Sequence, residues 1–298
     1  MKLLVLGGNG QVGHELRRAL APLGEVVATT RSGTLPDGSP CERADFDAPA
    51  TLPGLVERIA PDIVINGAAY TAVDKAETDI EAAFRANAEA PGALARACAA
   101  RGIPFVHYST DYVFDGQGTR PCREDDPVAP LGVYGASKRA GEVAVIDAGG
   151  RHLIFRTAWV YGSHGHNFMR TMLRLGAERD RLRVVTDQVG TPTPAALVAD
   201  VTARILAQSN DASGVWHLTA TGSTSWHGFA EAIFDAAQAR GLLARRPEVD
   251  AITTAEYPTP ARRPAYSCLD TGKLARDFGV VLPDWQAALG IVLDAMRP

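Results

Sequence analysis

A chain of 298 residues that is 46% hydrophobic and 21% charged can enclose a sizeable core and is too apolar to be disordered. Its net charge of -4 gives no electrostatic reason to bind nucleic acid or an acidic membrane surface. No apolar run reaches the length of a membrane span. The four cysteines (Cys41, Cys98, Cys122, Cys268) are too scattered for zinc or redox pairs, which predicts free thiols in a reduced cytoplasmic setting.

The opening "MKLLVLGGNG" lacks a small-residue cleavage site and reads as a strand entering a glycine turn rather than a signal peptide. In chain order there follow a helix in "QVGHELRRALAPLG" closing at Gly24, a strand "EVVATT", a helix "TLPGLVERIAP" and a strand "DIVING". A single long helix "EAAFRANAEAPGALARACAARG" then leads into the strand "PFVHYST". The runs Leu3–Leu6, Ile63–Ile65 and Phe105–His107 are continuously apolar, as in strands buried on both faces of a parallel sheet. Beyond a helix start near Val133 come a strand "RHLIFRTAWVYG", a helix "PAALVADVTARILAQS" and a strand "GVWHLTA". The tail "YPTPARRPAYSCLDTGKL" is rich in proline and arginine, and a last helix lies in "WQAALGIVLDAM".

This alternation predicts an α/β doubly wound parallel-sheet Rossmann fold with a smaller, interleaved C-terminal lobe for substrate. The expected core is 1–162 plus 191–221, and the expected lobe is 163–190 plus 222–298.

"GGNGQVG" places Gly7, Gly10 and Gly13 between the first strand and the first helix. Glycines there permit a tight turn and close backbone approach to a pyrophosphate held at a helix N-terminus. Gly7, Gly10, Gln11, Val12 and Gly13 are therefore expected at a dinucleotide. NAD-binding proteins place a carboxylate at the end of the second strand, on the ribose 2′-hydroxyl. Here that strand ends Thr29-Thr30 and Arg31 follows, which suits a 2′-phosphate and predicts NADPH, with NADH as the alternative. Asp45 and Phe46 are placed to flank an adenine, although Asp45 also suits a turn.

Four segments converge: "GGNGQVG", "NGAAYTAVDKAE" (Asn66–Glu77), "HYSTDYVFDG" (His107–Gly116) and Tyr134-x-x-x-Lys138. Together they resemble the extended short-chain dehydrogenase/reductase superfamily and, within it, the dTDP-4-dehydrorhamnose reductase family. The likeness continues through "RTAWVYG", "DQVGTPT" and "RRPAYSCLD" and so spans nearly the whole chain. It implies reduction of the 4-keto group of a dTDP-linked sugar nucleotide, dTDP-4-dehydro-L-rhamnose.

The resemblance assigns Tyr134 as the proton donor and Lys138, one helical turn on, as the group that lowers the phenol's pKa and bonds the nicotinamide ribose. It places Thr110 on the substrate carbonyl, with Ser109 as the nearby alternative. It also implies that Ala68, Ala69, Tyr70 and Asn87 contact or support the cofactor, and that Tyr112, Trp159 and Arg263 contact substrate. Sugar 4,6-dehydratases of the superfamily carry Thr-Asp-Glu where this chain has Thr110-Asp111-Tyr112, so dehydration is disfavoured. Another 4-ketosugar-nucleotide reductase, an epimerase or a non-catalytic dinucleotide-binding subunit are the competing readings.

No metal is expected. His164 and His166 in "SHGHN" have no carboxylate in register and read as a polar loop. Some members of the family form a dimer bridged by magnesium on glutamates. Glu15 is retained here, but Ala196-Leu197-Val198 stands where a second glutamate would fall, which argues against the magnesium bridge and leaves a homodimer open.

Overall fold

The computed structural model describes residues 1–208 and 211–296; Ser209, where the expected helix ends, and the last two residues of the expected lobe lie outside the described residues. The chain runs β1 (Lys2–Leu6), α1 (Gln11–Leu20), β2 (Glu25–Thr30), β3 (Glu42–Arg43), α2 (Leu52–Ile59), β4 (Ile63–Asn66), α3 (Val73–Ala76), α4 (Ile80–Phe84), α5 (Ala90–Ala99), β5 (Phe105–Thr110) and α6 (Val133–Asp147). It continues through β6 (His152–Thr157), β7 (Val160–Tyr161), α7 (Phe168–Glu178), β8 (Arg181–Val185), β9 (Val189–Gly190), β10 (Thr193–Pro194) and α8 (Ala195–Ala207). Last come β11 (Gly214–His217), β12 (Thr224–Ser225), α9 (Trp226–Ala239), β13 (Glu248–Ile252), α10 (Gly272–Phe278) and α11 (Trp285–Asp294).

Seven strands form one sheet in the order β11-β6-β5-β4-β1-β2-β3, and every pairing in it is parallel. The strand order reverses between β1 and β4, and the crevice beyond their carboxyl ends is where such sheets take ligands. Because side chains alternate along a strand, Leu3 and Val5 pack on one face with Leu16 and Leu20 of α1 and with Val198 and Ile205 of α8. Leu4 and Leu6 pack on the other with Leu55 and Val56 of α2, Leu94 of α5 and Val145 of α6. Both faces are covered, which is why the sequence runs are continuously apolar.

A separate apolar cluster joins α7, α9 and α11 through Met169, Met172, Phe229, Phe234 and Leu289. Beside it β8 and β13 pair in parallel over five residues. Within 222–298, the stretch Leu274, Phe278, Val280 and Leu282 packs with the sheet cluster rather than with this one.

Two elements depart from the sequence reading. The expected long helix is interrupted by a π-helical turn, Arg85–Glu89, between α4 and α5. The expected strand from Arg151 breaks into β6 and β7 at Ala158-Trp159, where Trp159 has φ +47°, a left-handed backbone rare outside glycine. Helix α9, the β8–β13 pair, α7 and α10 were not anticipated.

Candidate active site

The crevice at the strand-order reversal is built from backbone. Gly7, directly after β1, has φ +76°, and a Cβ there would sit 2.8 Å from the Ala68 nitrogen. A Cβ on Gly13 would meet the Gly7 carbonyl oxygen at 2.0 Å, so helix α1 can approach β1 this closely only as glycine. Gly10 caps α1, no side chain covers its end, and no acid lies in its first turn. The first-turn amides and the helix dipole are thus left for an anion, which fits a pyrophosphate.

Alongside is a cleft of about 590 Å³ whose walls include Gly7, Arg31, Phe46, Ala68, Ala69 and Tyr70. Residues far apart in sequence thus meet on one surface. Gln11 reaches away, accepting from Asn167 Nδ2 at 2.9 Å, and Val12 packs against the sheet cluster, so neither side chain is turned to the cleft. Thr30 at the end of β2 is committed to its own turn, accepting from the Gly33 and Thr34 amides at 2.9 and 3.1 Å. The Arg31 guanidinium lies 3.3 Å from Asp47 and 3.9 Å from Asp45. Asp45 also accepts from the Asp47 amide at 3.0 Å, the turn role the sequence allowed, while Asp47 lines the cleft.

Asn87 sits on the π-turn and is fully buried behind the cleft. Its Oδ1 accepts from the Tyr70 amide at 2.8 Å, and its Nδ2 donates to the Tyr70 carbonyl and to Ser137 Oγ, each at 3.0 Å. It ties the Ala68–Tyr70 wall to α6.

Tyr134 and Lys138 lie in the first two turns of α6, against the end of β5. Glu77 Oε1 accepts from the Val133 amide at 2.9 Å and so anchors the start of α6. The Tyr134 phenol lies close enough to the Thr110 side chain to feel it electrostatically. Thr110 Oγ1 donates to Asp111 Oδ1 at 2.9 Å and accepts from the Tyr112 amide at 3.2 Å. Lys138 is buried, and its Nζ donates to the Tyr108 carbonyl at 2.6 Å. Burial pushes Lys138 down to about 8, with Glu142 opposing the shift. Burial pushes Tyr134 up to about 12, with Thr110 opposing and Asp111 adding to the rise.

The expected lowering of the phenol by the Lys138 ammonium is therefore absent here. Desolvation of a phenolate outweighs the help available to it, and the lysine spends a hydrogen bond on Tyr108. Asp111 is itself buried and pushed up to about 6 by that burial, against bonds from Ser267 and Thr110.

The expected substrate residues divide. Tyr112 stands edge-on to Tyr134 with ring centroids 5.6 Å apart. Ser109 is 3% exposed, and its buried hydroxyl makes no hydrogen bond among the described residues. Trp159 stacks on Trp226 with centroids 3.5 Å apart, and Gly190 supplies the room for its edge. Arg263 Nη1 and Nη2 donate to Asp74 at 3.0 and 2.7 Å. Arg263 also lines a second cleft, of about 690 Å³, with Phe168, Arg179, Arg181, Arg183, Gln188 and Trp226. Two of those arginines are paired, Arg181 with Asp250 at 2.6 Å and Arg183 with Glu256 at 2.9 Å. The alternation in "RDRLRVV" could have shown a strand with arginines on one face; Trp226 and Asp74 carried no such signal.

His164, read as a loop residue, meets a carboxylate from another element: its Nδ1 is 3.6 Å from Glu15 Oε1, and its ring lies 4.0 Å from that of His14. The other Glu15 oxygen accepts from Arg18 at 3.0 Å.

The all-parallel strand order and the glycine cradle at its switch point define the class: a Rossmann-fold oxidoreductase. The chain belongs to the dTDP-4-dehydrorhamnose reductase family, with residues 1–297 matching the model for the RmlD substrate binding domain. It is 49% identical to the dTDP-4-dehydrorhamnose reductase of Burkholderia thailandensis, over 98% of this chain and 97% of that one. The Escherichia coli enzyme of the same name is 46% identical over 99% of this chain and 98% of its own. Among solved structures, the dTDP-4-dehydrorhamnose reductase of Clostridium acetobutylicum superposes with TM-score 0.90 at 37% identity, covering both chains completely. That of Bacillus anthracis, in complex with NADP, gives TM-score 0.89 at 33% identity over 99% of each chain.

Proposed function

We propose that this chain reduces the 4-keto group of dTDP-4-dehydro-L-rhamnose to dTDP-L-rhamnose, using NADPH, with NADH also usable. The observation that carries the reading is the Tyr134 phenol, near Thr110 at the end of β5 and one turn from the buried Lys138. The reduced nicotinamide, when bound, supplies a hydride to the carbonyl carbon. The glycine cradle Gly7–Gly13 and the wall Ala68–Tyr70 would hold that cofactor. A carbonyl gaining hydride becomes an alkoxide and needs a proton at its oxygen. Tyr134, held protonated by its burial, donates it, and the Thr110 hydroxyl orients the same oxygen. Lys138, with two ammonium hydrogens beyond the one given to Tyr108, holds the ribose and supports the phenolate left behind.

The nucleotide diphosphate belongs to the second cleft. Its guanidinium groups suit phosphate oxygens, and Arg179 has no acidic partner among the described residues. The Arg263–Tyr112 contact links this cleft to the Tyr134 ring.

The test follows absorbance of reduced nicotinamide with dTDP-4-keto-6-deoxyglucose, with and without a 3,5-epimerase supplying the L-sugar. Wild type consumes NADPH only when the epimerase is present. Tyr134→Phe, which removes one oxygen, lowers kcat at least 100-fold, within the range of general acid catalysis, while still binding NADPH. Turnover by Tyr134→Phe within tenfold of wild type would refute the donor assignment.

A further inference from the structure

The stripe of α6 that carries Tyr134 and Lys138 continues one turn further to Glu142, which has no part in the reaction described above. Glu142 is fully buried. Arg156 Nε and Nη2 donate to its two oxygens, each at 2.8 Å, and Arg139 Nη1 donates to Oε2 at 2.9 Å. Arg156 belongs to β6, pairs in register with Ser109 of β5, and lies 5.1 Å from the centre of the Phe114 ring. A bidentate bridge of this geometry fixes α6 on the sheet beside the end of β5.

A bolt could be made more cheaply from apolar side chains, because desolvating two charges costs much of what their attraction returns. What an apolar bolt lacks is a negative charge one turn from a buried ammonium. We propose that the Glu142–Arg156 pair is a positioning device for the reduction: Glu142 holds a negative charge one helical turn from Lys138 in a dry site, and Arg156 keeps that carboxylate ionised. The inference rests on the assignment of Tyr134 and Lys138 made above.

The charges around Lys138 are consistent with this. On its own helix stand Tyr134 and Glu142. From β5 come the Tyr108 carbonyl and His107, which burial and then Lys138 itself hold well below the usual imidazole range. Asp111 follows β5, and Arg156 reaches the site from β6 through Glu142. From the helical layer behind come neutral Asn87, bonded to Ser137, and Glu77, spent on the Val133 amide. Burial would raise the Glu142 carboxyl, but Arg156 and then Arg139 outweigh it and hold it below the usual range, so the charge is present at neutral pH.

The chain has four lysines (Lys2, Lys75, Lys138, Lys273), so Lys138 can be titrated directly by carbon NMR of protein labelled at lysine Cε. The experiment records that titration and kcat against pH, with NADPH and the epimerase-generated sugar nucleotide, for wild type, Glu142→Gln, Arg156→Met and Glu142→Asp. Glu142→Gln is expected to move the Lys138 midpoint, and the alkaline limb of kcat with it, down by about one pH unit or more. Arg156→Met moves both downward as well, because the buried carboxylate loses the guanidinium that keeps it ionised. Glu142→Asp restores the limb to near the wild-type position. A purely structural pair predicts loss of protein or of kcat at every pH, with the midpoints unmoved.

If Glu142→Gln does not fold, Glu142→Gln/Arg156→Met leaves no buried unpaired charge and must still show the downward shift. A Glu142→Gln midpoint within about 0.3 units of wild type, or an upward move in either variant, overturns the proposal. So does a shifted Lys138 midpoint with an unshifted kcat limb. If wild type itself fails to reduce the sugar while the midpoints move as expected, the reading of Tyr134 fails and the electrostatic role of Glu142 stands.

Discussion

Asp111 is a residue whose burial carries a cost that the sequence does not show. Its carboxyl is raised from 3.8 to about 6 in the fold. A carboxyl raised on folding favours the protonated form in the native state, so it costs stability above the folded value, and the cost disappears as pH falls below the unfolded one. Two units correspond to roughly 3 kcal/mol at pH 7.5. Asp111→Asn, which keeps an acceptor for Thr110, is therefore expected to raise the melting temperature at pH 7.5 and to lose most of that gain at pH 4. Equal gains at both values would show that the buried charge is not the cause. Arg31 gives a second prediction at this scale. A guanidinium bonded to a 2′-phosphate contributes about 1.5–3 kcal/mol. Arg31→Ala should then raise KM for NADPH roughly 10- to 100-fold and leave KM for NADH nearly unchanged, since the neighbouring Asp45 and Asp47 remain. Equal effects on both cofactors would remove Arg31 from the site.

Among the elements, α6 is the one that tolerates least. A Cβ on Gly141 would meet the Asn87 carbonyl oxygen at 2.0 Å, so α6 and the π-turn pack backbone to backbone there. Gly141→Ala must separate them, at a cost of about 1–3 kcal/mol in overpacking. It should also loosen the Tyr70 wall that Asn87 holds, raising KM for the cofactor; a stable variant with unchanged KM would contradict this. Tyr134-x-x-x-Lys138 and the glycine cradle were legible because their chemistry depends on spacing within one element. The π-turn was not, because it exists to serve Asn87 against Tyr70 and Ser137, partners 17 and 50 residues away. For the same reason the rise of the Tyr134 pKa escaped the sequence: burial is set by β5 and the turn after it, not by the helix that carries the phenol.

In the whole molecule the core and the tail are joined across the front of the second cleft by Asp74 and Arg263. The pair is half-buried and bidentate, with Asp74 Oδ1 also accepting from the Ala261 amide at 3.1 Å. Arg263 was legible as a candidate from the proline- and arginine-rich tail, whereas its partner was not, since 189 residues separate them. Asp74→Asn is expected to weaken the hold on the "ARRP" loop and raise KM for the sugar nucleotide about fivefold, with a smaller effect on kcat. An unchanged KM would make the pair a surface ornament. The fold class itself was readable, because continuous apolar strands alternating with amphipathic helices admit few other packings. The second cleft was not readable, because its walls bring α7 and β8 against α9 and the tail, which lie far from them in sequence.

The tryptophan stack has an optical consequence. Trp159 lies in the break between β6 and β7, Trp226 opens α9, and their indoles lie 5° from coplanar at 3.5 Å. Two chromophores so close split each other's transitions, and the resulting near-ultraviolet dichroism depends on their separation and relative angle. The molecule thus carries an intrinsic gauge of how the β6–β7 break sits on α9 at the wall of the second cleft, readable without a label as nucleotide or sugar is added.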